Sequence, residues 1–266
     1  MALIAGVDIG STASKAVVMR DDDILGAVIG PSSTNPAKTA QNIYEQTLEK
    51  AGVAEGDVEY IVGTGYGRAH VPFANENISE ISCHGRGAHF FLNGVRTILD
   101  IGGQDTKAIC VDGSGALMDF AMNDKCAAGT GRFLDSIIRS MDISLDDLEK
   151  YHFQDGEPST ISSMCSVFAE SEVINLVNEG VELPRIIKGL HISLAGRVAS
   201  LAKRVGVVEE VAITGGVAKN RGVIEAIEQK LKIKVARFPE GVDPQVVGAV
   251  GAAILAKNKL AASAKK

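Results

Sequence analysis

The sequence predicts an α/β fold built from two similar lobes with a cleft between them. A short motif occurs twice, as Asp8-Ile-Gly-Ser-Thr-Ala-Ser-Lys15 and as Asp100-Ile-Gly-Gly-Gln-Asp-Thr-Lys107. The order of predicted elements also recurs after the second motif. The 29 glycines and the 5% aromatic share suit closely packed helices and strands rather than disorder. A repeated motif within a repeated element order indicates two halves of related structure.

The first half reads as three strands, a helix, a strand and a helix. Short apolar runs bounded by turn residues predict the strands, and the second turn is Asp21-Asp22-Asp23. Pro36 begins an amphipathic helix that extends to about Lys50. The predicted strands cover residues 3–9, 15–20, 24–29 and 58–62, and the second helix lies near 82–93.

The second half repeats this order with additional helices. Its strands are predicted near 96–101, 107–111, 116–122, 210–214 and 234–238, and its helices near 127–140, around Phe168 to Val177, from Pro184 to Val205, and over 219–231 and 244–256. We therefore expect a first lobe of residues 1–93 plus the C-terminal helix 244–257, a second lobe of residues 94–243, and a disordered tail of residues 258–266.

Composition excludes several classes of protein. The net charge is −6, and no stripe of Lys and Arg is interleaved with aromatic residues, so we predict no nucleic-acid partner. No apolar run approaches the ~20 residues of a membrane span, and the chain begins with a strand rather than a signal-type segment. We expect no membrane association and a cytoplasmic location.

Both copies of the motif carry residues that suit a phosphate group. Glycine permits a tight turn and a close approach of the backbone, at Gly10 and at the pair Gly102-Gly103. Hydroxyl donors and positive charges follow at Ser11, Thr12, Ser14, Lys15 and Lys107. An ordinary hairpin turn explains one such motif equally well, but two copies with matched flanks favour phosphate binding.

The acidic residue of each copy has a different predicted role. Asp8 and Asp100 end short apolar strands, and a carboxylate repels phosphate, so each is expected to hold Mg²⁺ through water. Gln104 is a candidate for aligning the attacking water in phosphoryl transfer, although an amide after two glycines also caps turns. Ala13 and Asp105 complete the two predicted phosphate loops.

A third glycine turn lies at Thr214-Gly-Gly-Val-Ala-Lys-Asn220, between a predicted strand and a predicted helix. Gly215 and Gly216 let backbone amides approach a phosphate or ribose, and the helix points its positive end the same way. Lys219 and Asn220 are placed to reach ribose or adenine.

Four cysteines divide into two pairs of different setting. Cys110 lies in an apolar strand and Cys83 beside a predicted helix start, and both read as buried thiols. Cys126 and Cys165 lie in loops before predicted helices, whose positive ends would favour thiolates. Two cysteines cannot complete a [4Fe–4S] cluster, but two from each of two chains can. Buried structural thiols or a disulfide remain alternatives.

The three glycine loops resemble those of the actin-like ATPase superfamily, which includes sugar and acetate kinases, actin and the 70 kDa heat-shock chaperones. The resemblance extends to about Ala256 and implies ribonuclease H-like lobes with a nucleotide between them. It also implies that the segment from Asp243 to Val250 returns to the first lobe, which adds Gln245 to the nucleotide-binding residues.

Two longer segments narrow the resemblance. Asn123-Asp-Lys-Cys-Ala-Ala-Gly-Thr-Gly-Arg-Phe133 and Cys165-Ser-Val-Phe-Ala-Glu-Ser-Glu172 are similar to segments of the activators (component A) of 2-hydroxyglutaryl-CoA and other 2-hydroxyacyl-CoA dehydratases. The resemblance implies a homodimer that shares one [4Fe–4S] cluster through Cys126 and Cys165, with Mg²⁺ and one ATP or ADP per subunit. It implies ferredoxin or flavodoxin as reductant and the dehydratase component, an iron–sulfur heterodimer, as partner.

This resemblance motivates a hypothesis for coupling. The helix after Cys126 would direct its positive end at the cluster, and ATP-driven closure of the lobes would redirect it and change the reducing power. Two alternatives stay open at this point. A small-molecule kinase of the same fold would use Asp105 as its carboxylate base, and an actin-like assembly or chaperone module would not need Cys126 and Cys165.

Overall fold

The computed structural model describes residues 2–162 and 165–264. The nine strands found there are β1 Leu3–Ile9, β2 Ala13–Arg20, β3 Asp23–Pro31, β4 Tyr60–Thr64, β5 Glu76–Asn77, β6 Thr97–Ile101, β7 Thr106–Val111, β8 Leu117–Asn123 and β9 Val211–Thr214. The eight α-helices are α1 Pro36–Ala51, α2 Glu80–Phe91, α3 Gly131–Met141, α4 Leu145–His152, α5 Ser166–Asn178, α6 Leu183–Val205, α7 Arg221–Leu231 and α8 Val247–Ser263.

The strands form two sheets of the same pattern, which confirms the predicted two-lobed α/β fold. The orders are β3-β2-β1-β4-β5 and β8-β7-β6-β9. In each sheet the strand that ends in the motif aspartate is antiparallel to the next strand and parallel to a later one. Asp8 is therefore the cross-strand partner of Lys15, and Asp100 the partner of Lys107.

Two helices fill the space between the sheets. Helix α8 packs on the first sheet, and Gly6 of β1 lets its backbone approach Ala249. Helix α2 packs on the second sheet, where Ile81 and Ala88 join the apolar core of β6 and β7. The two helices also cross each other closely. A Cβ added at Gly87 of α2 or at Gly251 of α8 would overlap the backbone of the other helix. The lobes thus meet at a helix crossing that glycine makes possible.

The predicted C-terminal boundaries were wrong. Helix α8 begins at Val247 and continues to Ser263, so most of the expected tail is helical; its last two residues lie outside the described part of the chain. The extension is held by Leu260, which packs against the core, and by two surface ion pairs, Lys257 to Asp22 and Lys259 to Glu76, both at 2.7 Å.

Three predictions in the second lobe also need correction. Helix α3 begins at Gly131 rather than near residue 127, because Gly129 has a φ of +94° that breaks a helix. Residues 234–238 form no strand but only an isolated parallel bridge, from Val235 to Val211. Helix α4 was not predicted, although a capping box of Ser144 and Asp147 marks its start. Among the described residues no helix is both long and apolar enough to span a bilayer.

Candidate nucleotide and cysteine sites

A cavity of about 740 Å³ lies between the lobes, and the three predicted glycine loops meet there. Its lining includes fifteen of the predicted site residues: Asp8, Gly10, Ser11, Thr12, Ala13, Lys15, Asp100, Gly102, Gly103, Asp105, Gly215, Gly216, Lys219, Asn220 and Gln245. The volume is in the range typical of small-molecule sites. The structure therefore brings the loops of both lobes and the segment before α8 to one place.

Two predicted residues of the phosphate loops lie outside this lining. Ser14 is fully buried on the opposite face of β2, and its hydroxyl oxygen lies 2.8 Å from that of Ser32, which donates to the Gly10 carbonyl. Gln104 turns toward α3; with its amide oxygen facing Arg132, it accepts from Nη1 at 3.1 Å and Nη2 at 2.6 Å. The side chains of Ser14 and Gln104 therefore contact other protein groups beside the two phosphate loops and do not face the cavity.

The motif lysines pair with carboxylates of their own loops. Lys15 Nζ donates to Asp8 Oδ2 at 3.0 Å in the first loop. In the second, Lys107 Nζ lies 3.4 Å from Asp100 Oδ2 and 2.9 Å from Asp105 Oδ1. Burial alone would lower the pKa of Lys107, but the two carboxylates outweigh it and raise the pKa above its ordinary value. Each ammonium group thus pairs with a buried carboxylate beside the cavity.

Asp100 is at the centre of a buried polar network that the sequence reading missed. His84 of α2 reaches it from the side, with Nε2 3.6 Å from Oδ2, and Thr214 Oγ1 donates to Oδ1 at 3.0 Å. Burial alone would raise the pKa of Asp100, but the electrostatic influence of His84 and of the neighbouring lysines outweighs burial and lowers the pKa to about 2. Asp100 is therefore ionised at neutral pH.

The second phosphate loop is bonded directly to α3. The first two amides of this helix, at Gly131 and Arg132, donate to the carbonyl oxygens of Gly102 at 2.8 Å and Gly103 at 2.9 Å. Across the cleft, a Cβ added at Gly103 would overlap the Thr12 side chain, so the loops of the two lobes nearly touch. Movement of the second loop must therefore move the start of α3.

The third loop also depends on glycine and on the return segment. Gly215 has a φ of +86°, and a Cβ there would overlap the Ile101 carbonyl oxygen. Lys219 Nζ donates to Asp243 Oδ2 at 2.8 Å, which ties the loop to the residues before α8. Gly65 has the same φ and makes the equivalent approach to Asp8 in the first lobe. The internal repeat thus extends to the loops after β4 and β9.

Further residues of the cavity wall were not predicted. Glu80, in the first turn of α2, faces the cavity and accepts from Arg68 Nη1 at 2.8 Å. Leu145 and Phe153 flank helix α4 and present half-exposed apolar surface to the cavity, as a nucleotide base requires. The spacing of Glu80 and His84 on one helix face was a usable signal, but it also matches an ordinary amphipathic helix.

The acidic residues fit a magnesium ion bound mainly by phosphate and water. Within residues 2–162 and 165–264, no group of three or more His, Cys, Asp or Glu side chains is arranged to hold a metal ion. Mg²⁺ in phosphate sites typically uses one or two carboxylates with waters and phosphate oxygens, rather than a cage of protein ligands. Asp8 and Asp100, one from each lobe, match that requirement.

Of the two cysteines predicted to be buried, only Cys83 is fully so. Cys83 is fully buried, and burial raises its pKa to about 12, while Cys110 is half-buried on β7. Cys126 and Cys165 are both exposed. Burial lowers the pKa of the Arg197 guanidinium on α6, and the electrostatic influence of Cys126 and Cys165 opposes that effect. The two exposed cysteines therefore lie near one positive group on the surface of the second lobe.

The two exposed thiols differ in how directly they adjoin a helix in the chain. Cys165 is the N-cap residue of α5. Cys126 is separated from α3 by the non-helical segment around Gly129, and its carbonyl accepts from Asn123 Nδ2 at 2.9 Å. Two exposed thiols supply half of the four ligands of a cubane cluster, which fits a site shared by two copies and not one completed by a single chain.

Known proteins are similar to this chain over almost its whole length. The model of the BadF/BadG/BcrA/BcrD ATPase family matches residues 5–256. The activator of lactoyl-CoA dehydratase from Anaerotignum propionicum is 46% identical over 255 residues, which cover 94% of this chain and 96% of that protein.

Two solved structures are similar over nearly their whole length. The activator of the 2-hydroxyisocaproyl-CoA dehydratase from Clostridium difficile, with bound ADPNP, has a TM-score of 0.92 and 42% identity, covering 99% of this chain and 97% of that one. Component A of the (R)-2-hydroxyglutaryl-CoA dehydratase of Acidaminococcus fermentans has a TM-score of 0.93 and 41% identity, covering 98% and 100%.

Proposed function

The chain belongs to the BadF/BadG/BcrA/BcrD ATPase family, and from that premise we propose that it is the ATP-dependent reductive activator of a 2-hydroxyacyl-CoA dehydratase. The observation that carries this proposal is the presence, in one compact chain, of a two-lobed nucleotide cavity and of two exposed cysteines on the second lobe. Relatives of similar length that share 42–46% of its residues are named as activators of such dehydratases. The protein is accordingly an ATPase that acts on a partner enzyme.

In ATP hydrolysis the residues of the cavity have separate tasks. Asp8 and Asp100 hold Mg²⁺ through water, and the ion, when bound, neutralises charge on the phosphate oxygens. Ser11, Thr12 and the amides of Gly102 and Gly103 bind the phosphates. Lys15 and Lys107 pair with these carboxylates from within the same loops.

The residue that aligns the attacking water needs to face the cavity. Gln104 can do so only if its amide leaves Arg132, whereas Glu80 already faces the cavity from the positive end of α2. We therefore favour Glu80 for this task. Leu145 and Phe153 form the apolar wall for the adenine ring.

The proposed electron-transfer site is shared between two copies of the chain. Cys126 and Cys165 of each copy would hold one [4Fe–4S] cluster in a homodimer, and such a cluster, when bound, supplies one-electron transfer. Val167 and Phe168, immediately after Cys165, are 66% and 68% exposed and offer apolar surface for a second copy. Ferredoxin or flavodoxin would serve as reductant, and the dehydratase component, an iron–sulfur heterodimer, as partner, in the cytoplasm.

The structure suggests how the nucleotide could act on Cys126. Helix α3 is bonded to the second phosphate loop, through the amides of Gly131 and Arg132. The start of this helix is therefore tied to the loop that would bind phosphate. We propose that nucleotide exchange moves this loop and α3 together, and that the short segment from Cys126 to Gly131 transmits the movement.

The alternative of a small-molecule kinase has weaker support. It needs a free carboxylate base beside an acceptor hydroxyl, but Asp105 is held by Lys107 at 2.9 Å. Anaerobic purification tests the two functions. We expect a brown dimer with about four irons per two chains, lost in Cys126→Ala and retained in the matched control Cys110→Ala. A colourless protein that phosphorylates a sugar would refute the activator.

A further inference from the structure

His84 is a buried histidine on the helix between the lobes, and it contacts groups of both lobes. It lies in the middle of α2, only 5% exposed, at the wall of the nucleotide cavity. On the second-lobe side, Nδ1 lies 3.0 Å from Thr214 Oγ1, and Nε2 lies 3.6 Å from Asp100 Oδ2. Both ring nitrogens therefore lie close to polar groups of the second lobe.

On the first-lobe side the same ring rests against the start of α8. A Cβ added at Gly248 would lie 2.9 Å from His84 Nε2 and 3.1 Å from Asp8 Oδ2. Only a residue without a side chain therefore allows the imidazole edge and the Asp8 carboxylate to share that position. The two predicted magnesium-binding carboxylates are thus connected through His84 and a single glycine.

The hydrogen bonds fix which ring nitrogen carries a proton. The Asp100 carboxylate is ionised and can only accept, so the single hydroxyl proton of Thr214 points to Asp100 Oδ1. The hydroxyl oxygen must then accept from His84 Nδ1, which is the donor in this bond. The order of donation is His84 to Thr214 to Asp100.

We propose that His84 is a positioning residue for ATP hydrolysis: through Thr214 it holds Asp100 of the second lobe in register with Asp8 of the first. The inference rests on the proposed ATPase function and adds a residue to it. Helices α2 and α8 cross closely through glycines, and the imidazole ties that crossing to the Asp100 carboxylate. Without the ring, ATP still binds, but Asp100 is misplaced in the transition state.

Two substitutions of nearly equal size separate the roles of the ring nitrogens. Asparagine places its amide N–H where Nδ1 was and keeps the donor to Thr214, whereas glutamine reaches the place of Nε2 and loses it. We expect His84→Gln to lower kcat about tenfold or more with little change in KM for MgATP, and His84→Asn to stay within about threefold of wild type. His89→Gln, the same change on α2 outside the cavity, is the matched control.

A double-mutant cycle with Thr214→Val tests the order of donation. If His84 acts through Thr214, the double variant His84→Gln with Thr214→Val is no slower than Thr214→Val alone. Melting curves of all variants verify folding. If the His84→Gln variant hydrolyses ATP as fast as the wild type, or if the losses in kcat multiply in the double variant, this inference is wrong while the proposed ATPase function stands. A wild-type protein that hydrolyses no ATP would refute the proposed function and this inference with it.

Discussion

Replacing Lys107 by methionine should destabilise the second lobe strongly. The ammonium is 3% exposed and neutralises two carboxylates, Asp100 at 3.4 Å and Asp105 at 2.9 Å. Methionine preserves the packing of the stem and removes only the charge. Removing one partner of a buried ion pair typically costs ~3–5 kcal/mol. Because Asp100 keeps its hydrogen bond from Thr214, we expect the lower end, about 3 kcal/mol.

Lys15→Met is the matched control from the other lobe. Lys15 contacts a single carboxylate, Asp8, and its side chain is 12% exposed, so water replaces part of the lost interaction. We expect a smaller loss of about 1–2 kcal/mol. The assay is urea unfolding at neutral pH, in which a loss of stability lowers the midpoint at constant slope.

A second substitution tests whether the cost comes from the unpaired charge. Asp100→Asn replaces the carboxylate by a neutral amide of the same shape, so the double variant with Lys107→Met should be more stable than Lys107→Met alone. Two results would contradict the view that Lys107 neutralises a buried carboxylate: a urea midpoint of Lys107→Met equal to that of the wild type, or a double variant with a lower midpoint than Lys107→Met.

Three further predictions concern the loops and the core. Gly215→Ala should weaken ATP binding and lower the melting temperature, because the residue has a positive φ and a Cβ there would overlap a carbonyl oxygen. Its control is Gly52→Ala, where φ is +64° and no atom lies within 4 Å of the added Cβ, so the free energy of unfolding should fall by only about 1 kcal/mol. Burial lowers the pKa of His191 to about 3, so on acidification the unfolded chain binds a proton before the folded protein does. The free energy of unfolding should therefore fall by up to ~1.4 kcal/mol per pH unit below about pH 6.5. The fall should be smaller in His191→Gln. Arg132→Gln removes the side-chain bond to Gln104 and keeps the backbone bonds to the loop, so it should bind ATP normally but weaken the effect of nucleotide on the alkylation rate of Cys126 in cluster-free protein; an unchanged effect would exclude the Gln104–Arg132 contact as part of the connection.

The sequence was sufficient for the sheets because their information is local. Asp8 and Asp100 end short apolar strands before glycine, and both were placed correctly at the ends of β1 and β6. The C-terminal helix was cut short because its last turns depend on Leu260 and on ion pairs with Asp22 and Glu76, which are distant along the chain. Contacts of this kind leave no periodic signal in a terminal segment.

The candidate site divides in the same way. Glycine loops carry their own conformational signature, so the residues from Gly10 to Ala13 were found. Ser14 was included wrongly among the cavity residues, although strict alternation along β2 places it on the opposite face from Lys15. His84 was missed because a buried histidine on a helix has no distinct pattern until Thr214 is brought beside it by the fold.

The most direct test of the proposed function is reconstitution with a 2-hydroxyacyl-CoA dehydratase component under anaerobic conditions. The chain, MgATP and a one-electron reductant are mixed with the dehydratase, and loss of water from the 2-hydroxyacyl-CoA is measured. We predict dehydration only when the chain and hydrolysable ATP are both present, and none with Cys126→Ala, even though this variant still hydrolyses ATP. Dehydration that proceeds at the same rate without ATP, or with Cys126→Ala, would contradict an ATP-driven activator that works through this cysteine.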